Sequence, residues 1–333
     1  MFTSVDERVL NGIGVLSAIV DSSSFAAASE ALDISPVRGK SFRGAARSQV
    51  SYPSVRPHDA LGHTHRRRTP FLRSDRAAGP FKSTVLVSDG STAAPHTDPN
   101  LQNGWGIGFN PTGVMWGSAN ATSKATLYDG NGVVQSLAVT IPPPVIGQAG
   151  GPTGIVFNTS TDFQIAANGN TSNALFMWAT EAGTIAGWSP KVLPTTAVIA
   201  YDDTPRGAVY KGLAIGKNGT ENLLYATDFH NNKVDVFDKS LKKMLLDAQF
   251  KDPTLPAGFA PFGINVTGST VIVTYAKVGP DGRKQVNGPG NGLIDTFDTD
   301  GHFIKRIATN GALNSPWGIA MAPANFDAAS MTC

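Results

Sequence analysis

Trp105-Gly106-Ile107, Thr153-Gly154-Ile155, Lys211-Gly212-Leu213, Phe262-Gly263-Ile264 and Trp317-Gly318-Ile319 are five versions of one short phrase. Their glycines stand 48, 58, 51 and 55 residues apart, a period in the range of propeller blades. After each of the first four comes a second apolar run: Val114-Met115-Trp116, Leu175 to Thr180, Leu223 to Thr227 and Val271 to Tyr275. A third run follows, Ala125 to Asp129, Thr184 to Trp188, Lys233 to Asp238 and Leu293 to Asp298, in which apolar and polar residues often alternate. Alternation over so few residues predicts strands with one buried face. Asn131-Gly132, Asn218-Gly219, Asp281-Gly282 and Asp300-Gly301 write tight turns between the runs, because these dipeptides accept positive φ. Each unit therefore reads as a small antiparallel meander that cannot bury both faces alone, and stacking meanders about an axis solves that problem.

Composition fits an all-β chain. The 333 residues include 36 Gly and 22 Pro, with 41% hydrophobic and only 16% charged, a turn-rich balance. The one cysteine, Cys333, excludes an intrachain disulfide and a thiolate zinc site. A formal charge of +2 is too small to mark the whole molecule as a polyanion binder. The charge is uneven, however: eleven Lys and Arg between Val37 and Ser83 face only Asp59 and Asp75.

That asymmetry divides the chain into residues 1–36, 37–82 and 83–333. In the first part Val9, Ile13, Leu16, Ile19 and Val20 form one helical stripe, and Asp21 to Ser24 supplies an N-cap for the alanine-rich run that follows. The stretch Ala18 to Pro36, with Ser24-Phe25-Ala26-Ala27-Ala28, Ala31-Leu32 and Ser35-Pro36, resembles the start of the winged helix-turn-helix domain of LysR-type regulators. The resemblance implies a DNA-reading helix from about Val37. The residues there, Val37-Arg38-Gly39-Lys40-Ser41-Phe42-Arg43-Gly44, carry two glycines, each costing about 1 kcal/mol in a helix. We therefore expect a truncated helix-turn-helix remnant, with DNA as a partner only if that remnant functions.

Residues 37–82, including His63-Thr64-His65-Arg66-Arg67-Arg68, lack apolar periodicity and read as a disordered basic linker. An out-of-frame fusion would account for them, and sequencing the locus tests that. No secretory signal is evident, so the expected location is the cytoplasm. Val15 to Val20 is far shorter than the ~20 apolar residues of a membrane span.

Leu86-Val87-Ser88-Asp89, Thr97 to Ile107, Tyr210 to Ala214, Phe229-His230-Asn231-Asn232, Gly288 to Gly292 and Ala312 to Ala320 together resemble a bacterial family of secreted proteins similar to NHL-repeat β-propellers. The resemblance implies a propeller, and members of that family continue with further strands after the Pro316-Trp317-Gly318-Ile319 unit. Because the fifth unit here stops short of those strands, we expect an incomplete propeller of about four to five NHL-like blades, C-terminally truncated, with an open edge able to pair with a second copy. Propellers similar to NHL repeats include gluconolactonase- and paraoxonase-type hydrolases that hold a divalent metal such as Ca2+ at the central opening. The candidates here are Asn103, Asp228, His230, Asn291 and Asn314, each beside an expected strand start or end where a side chain could face the channel. Oxygen ligands suit calcium, while Asn and Asp are equally the residues of turns.

Three functions follow as expectations. The working reading is a non-catalytic propeller that binds a protein, peptide or glycan on its loops. The alternatives are a metal-dependent lactonase-like hydrolase at the channel and a LysR-type transcription regulator acting through residues 1–36.

Overall fold

The computed structural model describes residues 84–320, apart from positions 112 and 247. The helix-turn-helix stretch 1–36 and the whole of the basic stretch 37–82 lie outside the described residues. What is described is all-β: four four-stranded antiparallel sheets, each one repeat long, arranged as an incomplete propeller.

A short parallel pair, β1 (Val87–Ser88) and β2 (His96–Thr97), leads in. The first blade is β3 (Gly104–Phe109), β4 (Met115–Ala119), β5 (Lys124–Tyr128) and β6 (Val134–Thr140). The second opens with β7 (Pro152–Phe157), inserts the hairpin β8 (Gln164–Ala167) and β9 (Asn170–Asn173), and continues as β10 (Phe176–Thr180), β11 (Thr184–Trp188) and β12 (Val198–Asp202). The third blade is β13 (Tyr210–Asn218), β14 (Glu221–Asp228), β15 (Lys233–Phe237) and β16 (Lys243–Met244). The fourth is β17 (Phe259–Thr267), β18 (Thr270–Lys277), β19 (Gly292–Asp298) and β20 (Phe303–Thr309). Gly219, at φ +58°, sits in the two-residue turn between Asn218 and Glu221, as the Asn-Gly pair predicts.

The repeated glycines sit where neighbouring first strands touch. A Cβ on Gly106 would overlap Thr153 O, one on Gly154 the Leu213 nitrogen, one on Gly212 would lie 3.0 Å from Phe262 O, and one on Gly263 would overlap Trp317 O. Each glycine thus admits the backbone of the next repeat, the close approach that only a missing side chain allows. The last of these contacts brings the fifth unit against β17, where Asn265 Nδ2 also donates to Ile319 O at 2.6 Å.

Three hydrophobic cores lie between successive blades. Trp116 stacks on Phe176 at 4.1 Å between the first two. Met177, Ile185, Leu213, Leu224 and Phe237 fill the second gap, joined by Phe163 and Ile165 next to and within the inserted hairpin. Tyr225, Val236, Val271, Val273, Tyr275 and Phe297 fill the third. A fourth cluster, Trp105, Phe229, Ala260, Phe262 and Ala276 with Trp317 packed on it, draws on the first, third and fourth blades and the fifth unit. Trp116, Trp178 and Trp188 thus pack between blades, whereas Trp105 and Trp317 meet in this fourth cluster. No helix among the described residues is long and apolar enough to cross a membrane.

Candidate ligand-binding face

The first strand of every blade is interrupted at the same place. Pairing with the second strand skips Trp105-Gly106, Thr153-Gly154, Lys211-Gly212 and Phe262-Gly263. A bulge at each repeat phrase re-aims one side chain, and the freed backbone is satisfied locally. Gly212 N donates to Thr227 Oγ1 at 2.7 Å and Gly263 N to Thr274 Oγ1 at 2.8 Å. The re-aimed side chains converge. Trp105 meets Phe262 at 6.0 Å and Trp317 at 5.4 Å, Trp317 Nε1 donates to Lys211 O at 3.1 Å, and Thr153 Oγ1 donates to Tyr210 O at 3.0 Å.

Lys211 is the one charged residue at these pre-glycine positions, and it is 1% exposed. Its ammonium lies 5.1 Å from the centre of the Trp105 ring and 5.8 Å from that of Phe229, the arrangement of a cation on aromatic faces. Its carboxylate partner is Glu181, from the β10–β11 turn. Burial pushes the Lys211 ammonium below its usual value, and Glu181 opposes that shift. Glu181 is 30% exposed and is held from two sides. Asn120 Nδ2 donates to its carboxylate at 3.0 Å, and Arg283 Nη2 to its main-chain oxygen at 2.9 Å.

Asn120, Glu181, His230 and Arg283 all come from connections between second and third strands, one per blade. In an antiparallel meander these connections share an end with the start of the first strand, so one face of the propeller gathers them. His230 Nδ1 lies 3.0 Å from Gly282 O, and Asn231 Nδ2 donates to Arg206 O at 3.2 Å, which ties the fourth-blade loop and the loop after β12 to the third-blade turn. His230, Asn231, Arg206 and Arg283 are exposed.

All five residues singled out from the sequence fall at this same end of the strands, but in separate settings. Asn103, at φ +51°, donates to Asn120 Oδ1 at 3.1 Å. His230 occupies the turn just described. Asn291 and Asn314 form a parallel bridge, with Asn314 Oδ1 accepting from Gly288 N at 2.6 Å. Asp228 is fully buried and accepts from Val209 N at 3.2 Å and Asn231 Nδ2 at 2.8 Å.

Asp228 also belongs to a trio with Asp203 and Asp235 whose carboxylate oxygens lie within 4.8 Å of one another. Cations already occupy this cluster. Lys233 Nζ reaches Asp235 at 2.8 Å and Asp228 at 3.5 Å, Lys243 Nζ reaches Asp235 at 2.6 Å and Asp203 at 2.9 Å, and Arg206 reaches Asp203 at 2.5 Å. Tyr210 OH adds a bond to Asp235 at 2.8 Å. Burial would raise the Asp203 carboxyl, but its bonds to Lys243 and Arg206 hold it below the usual range. Three buried carboxylates face three cations that reach them from the solvent side, so the charges balance, and a divalent ion here would have to displace Lys233 and Lys243. The other group of ligand-type side chains among the described residues, Asp298, Asp300 and His302, lies at the turn between β19 and β20, away from this face.

Glu181, Lys211, Asn120 and Arg283 were not candidates from the sequence. Lys211 carried a usable signal, a lone charge among five otherwise uncharged pre-glycine residues. The other three are recognisable only through contacts 30 to 102 positions away.

No family model matches the chain. Two proteins of Acanthamoeba polyphaga mimivirus are similar to it. Uncharacterized protein R648 is 32% identical over 257 residues, which cover 74% of this chain and 62% of R648. Uncharacterized protein L690 is 31% identical over 258 residues, covering 75% of this chain and 67% of L690. Among solved structures, a virginiamycin B lyase from Staphylococcus aureus matches at a TM-score of 0.37 and 18% identity over 60% of this chain and 57% of the lyase. The Dos1 propeller matches at 0.40 and 14% over 64% of this chain and 51% of its own, and the calcium-binding protein regucalcin from Agrobacterium tumefaciens at 0.32 and 16% over 67% and 79%.

Proposed function

This chain belongs to the family of the mimivirus protein L690, and from that premise we propose that it is a non-catalytic binding module, which takes a protein, peptide or glycan on the face formed by the second-to-third-strand connections. The observation that carries the reading is the filling of the centre. A lactonase-like site needs carboxylates and amides free to hold a divalent cation. In this chain an ammonium, Lys211, stands among Trp105, Phe229 and Glu181, so a metal placed beside it would meet a like charge. The groups exposed on the face, Arg206, His230, Asn231 and Arg283, each make at least one contact within the chain and are hydrogen-bonding and cationic groups drawn from several loops. Propeller loops of this kind suit recognition of an extended polar surface. The relatives' names assign no activity, and this chain spans 62% of R648.

Screening the full chain on peptide and glycan arrays tests the reading, with His230→Ala/Arg283→Ala as the comparison. Specific retention that the double variant loses supports it. Turnover of a simple lactone or aryl ester, abolished by chelation and unaffected by the double variant, would replace it with the hydrolase.

A further inference from the structure

His230 stands where three loops meet. Its Nδ1 lies 3.0 Å from Gly282 O, and a Cβ on Gly207 would stand 3.5 Å from its Cδ2, so the imidazole sits between the loop after β12 and the β18–β19 loop. Each of those loops carries an exposed arginine beside the glycine that faces the ring, Arg206 before Gly207 and Arg283 after Gly282. Arg283 Nη2 reaches on to Glu181 O at 2.9 Å, and Asn231 Nδ2 fixes the Arg206 main chain at 3.2 Å. Connections from successive blades thus build one patch.

The loops 202–207 and 279–284 expose three cations, Arg206, Arg283 and Lys284, against two carboxylates, Asp202 and Asp281. Both carboxylates hold their own turns. Asp281 accepts from Arg283 N and Lys284 N at 2.9 Å each, and Asp202 from Thr204 N at 2.9 Å and its hydroxyl at 2.7 Å. Arg283 and Lys284 pair with no carboxylate among the described residues, and Arg206, its side chain 66% exposed, engages only Nη1, on the buried Asp203. Guanidinium forks with N–H groups to spare match carboxylates. The imidazole adds the opposite function. A carbonyl oxygen can only accept, so Nδ1 of the neutral ring carries its hydrogen and Nε2 is left as an acceptor for a ligand hydroxyl. Residues 202–207, 228–233 and 279–284 expose no large apolar side chain, so the patch offers no greasy pocket for a peptide anchor.

We propose that the ligand taken on this face is an acidic polysaccharide, a chain of uronate sugars whose carboxylates are held by Arg283 and Arg206 and whose hydroxyls donate to His230 Nε2. The inference rests on the reading of this face as a binding surface and names the class of its ligand.

The test is biolayer interferometry of the full chain on immobilised polygalacturonate, with highly methyl-esterified pectin and poly-glutamate as comparisons. The expected result is saturable binding to polygalacturonate that is at least about tenfold weaker on either comparison polymer, the loss of one charge-assisted contact. Arg283→Gln should weaken the polygalacturonate complex about tenfold and His230→Ala about fivefold, as for a charged and a neutral hydrogen bond. Lys239→Gln, the loss of an exposed cation at the opposite end of the strands, should change nothing. Equal binding of the esterified polymer or of poly-glutamate overturns the uronate class, and polygalacturonate binding indifferent to both Arg283→Gln and His230→Ala overturns the patch. Absence of polygalacturonate binding in a chain whose array ligand is still lost on His230→Ala/Arg283→Ala overturns the class alone, whereas array retention indifferent to that double variant overturns the binding face beneath it.

Discussion

The indole of Trp105 meets that of Trp317 edge to face, at 5.4 Å and 89°, so the first strand of the first blade touches the opening of the fifth unit 212 positions later. The sheet pairing of the described residues ends at the fourth blade, yet this contact and the Trp317–Lys211 bond tie both ends of the arc to its middle. Trp317→Ala should therefore lower stability by about 2–4 kcal/mol, somewhat below the range for fully buried aromatic truncations because Trp317 is only partly buried, while Trp317→Phe should recover much of it. Urea unfolding of the full chain reads this out, and an unchanged midpoint for the alanine variant would show that the fifth unit contributes nothing to the ring.

Gly154→Ala should be severely destabilising, by more than about 3 kcal/mol, because the new methyl would run into the backbone at Leu213, which cannot move aside alone. Gly130→Ala meets no atom within 4 Å and should change stability by less than about 0.5 kcal/mol. Comparable thermal shifts for the two would sink the idea that the repeat glycines are contact points between blades.

The Lys211–Glu181 pair should respond asymmetrically. Glu181→Gln leaves an ammonium stranded in a 1% exposed position and should cost about 2–4 kcal/mol, towards the lower end because Glu181 itself is partly solvated. Lys211→Met leaves a carboxylate that can turn to water and should cost less. The double variant should be more stable than Glu181→Gln alone, and chemical denaturation of all three decides it.

Asp295 supplies a pH dependence of unusual sign. Burial raises its carboxyl to about 6, Arg306 pulls it down and Asp252 beside the same guanidinium pushes it up. The folded value exceeds the unfolded value of about 3.9, so the fold favours the protonated form. The contribution of this residue is therefore greatest below about pH 4 and is lost as pH rises through 6, up to about 3 kcal/mol. Asp203 and Asp298, whose carboxyls are held low, work in the opposite direction, so the measurement is a difference. Asp295→Asn should gain stability relative to the parent between pH 4 and 7, and parallel profiles would contradict this.

The first three strands of each blade were legible in the sequence because each has a buried face that forces alternation or an unbroken apolar run. Phe176 to Thr180 reads as such a run, and all five residues are buried. The outer strands were not. In β20, Phe303–Thr309, no residue is fully buried, and β16 is two residues long, so no hydrophobic period was available to mark them. The hairpin β8–β9 was missed for a related reason, though the 58-residue interval between Gly154 and Gly212 is where it is inserted. At the face, turn residues such as Asn103 and His230 were visible by type. Glu181 and Arg283 were not, because one main-chain bond across 102 positions defines their relation and no local pattern encodes it.

The interruption of each first strand separates two jobs that most strands combine. The glycine of the phrase keeps neighbouring backbones together, while the residue before it is delivered to the hub without taking part in the ladder. Tryptophan, threonine, lysine and phenylalanine all occupy that slot within one molecule. The hub can therefore be re-dressed one residue at a time while the wheel around it keeps its spokes.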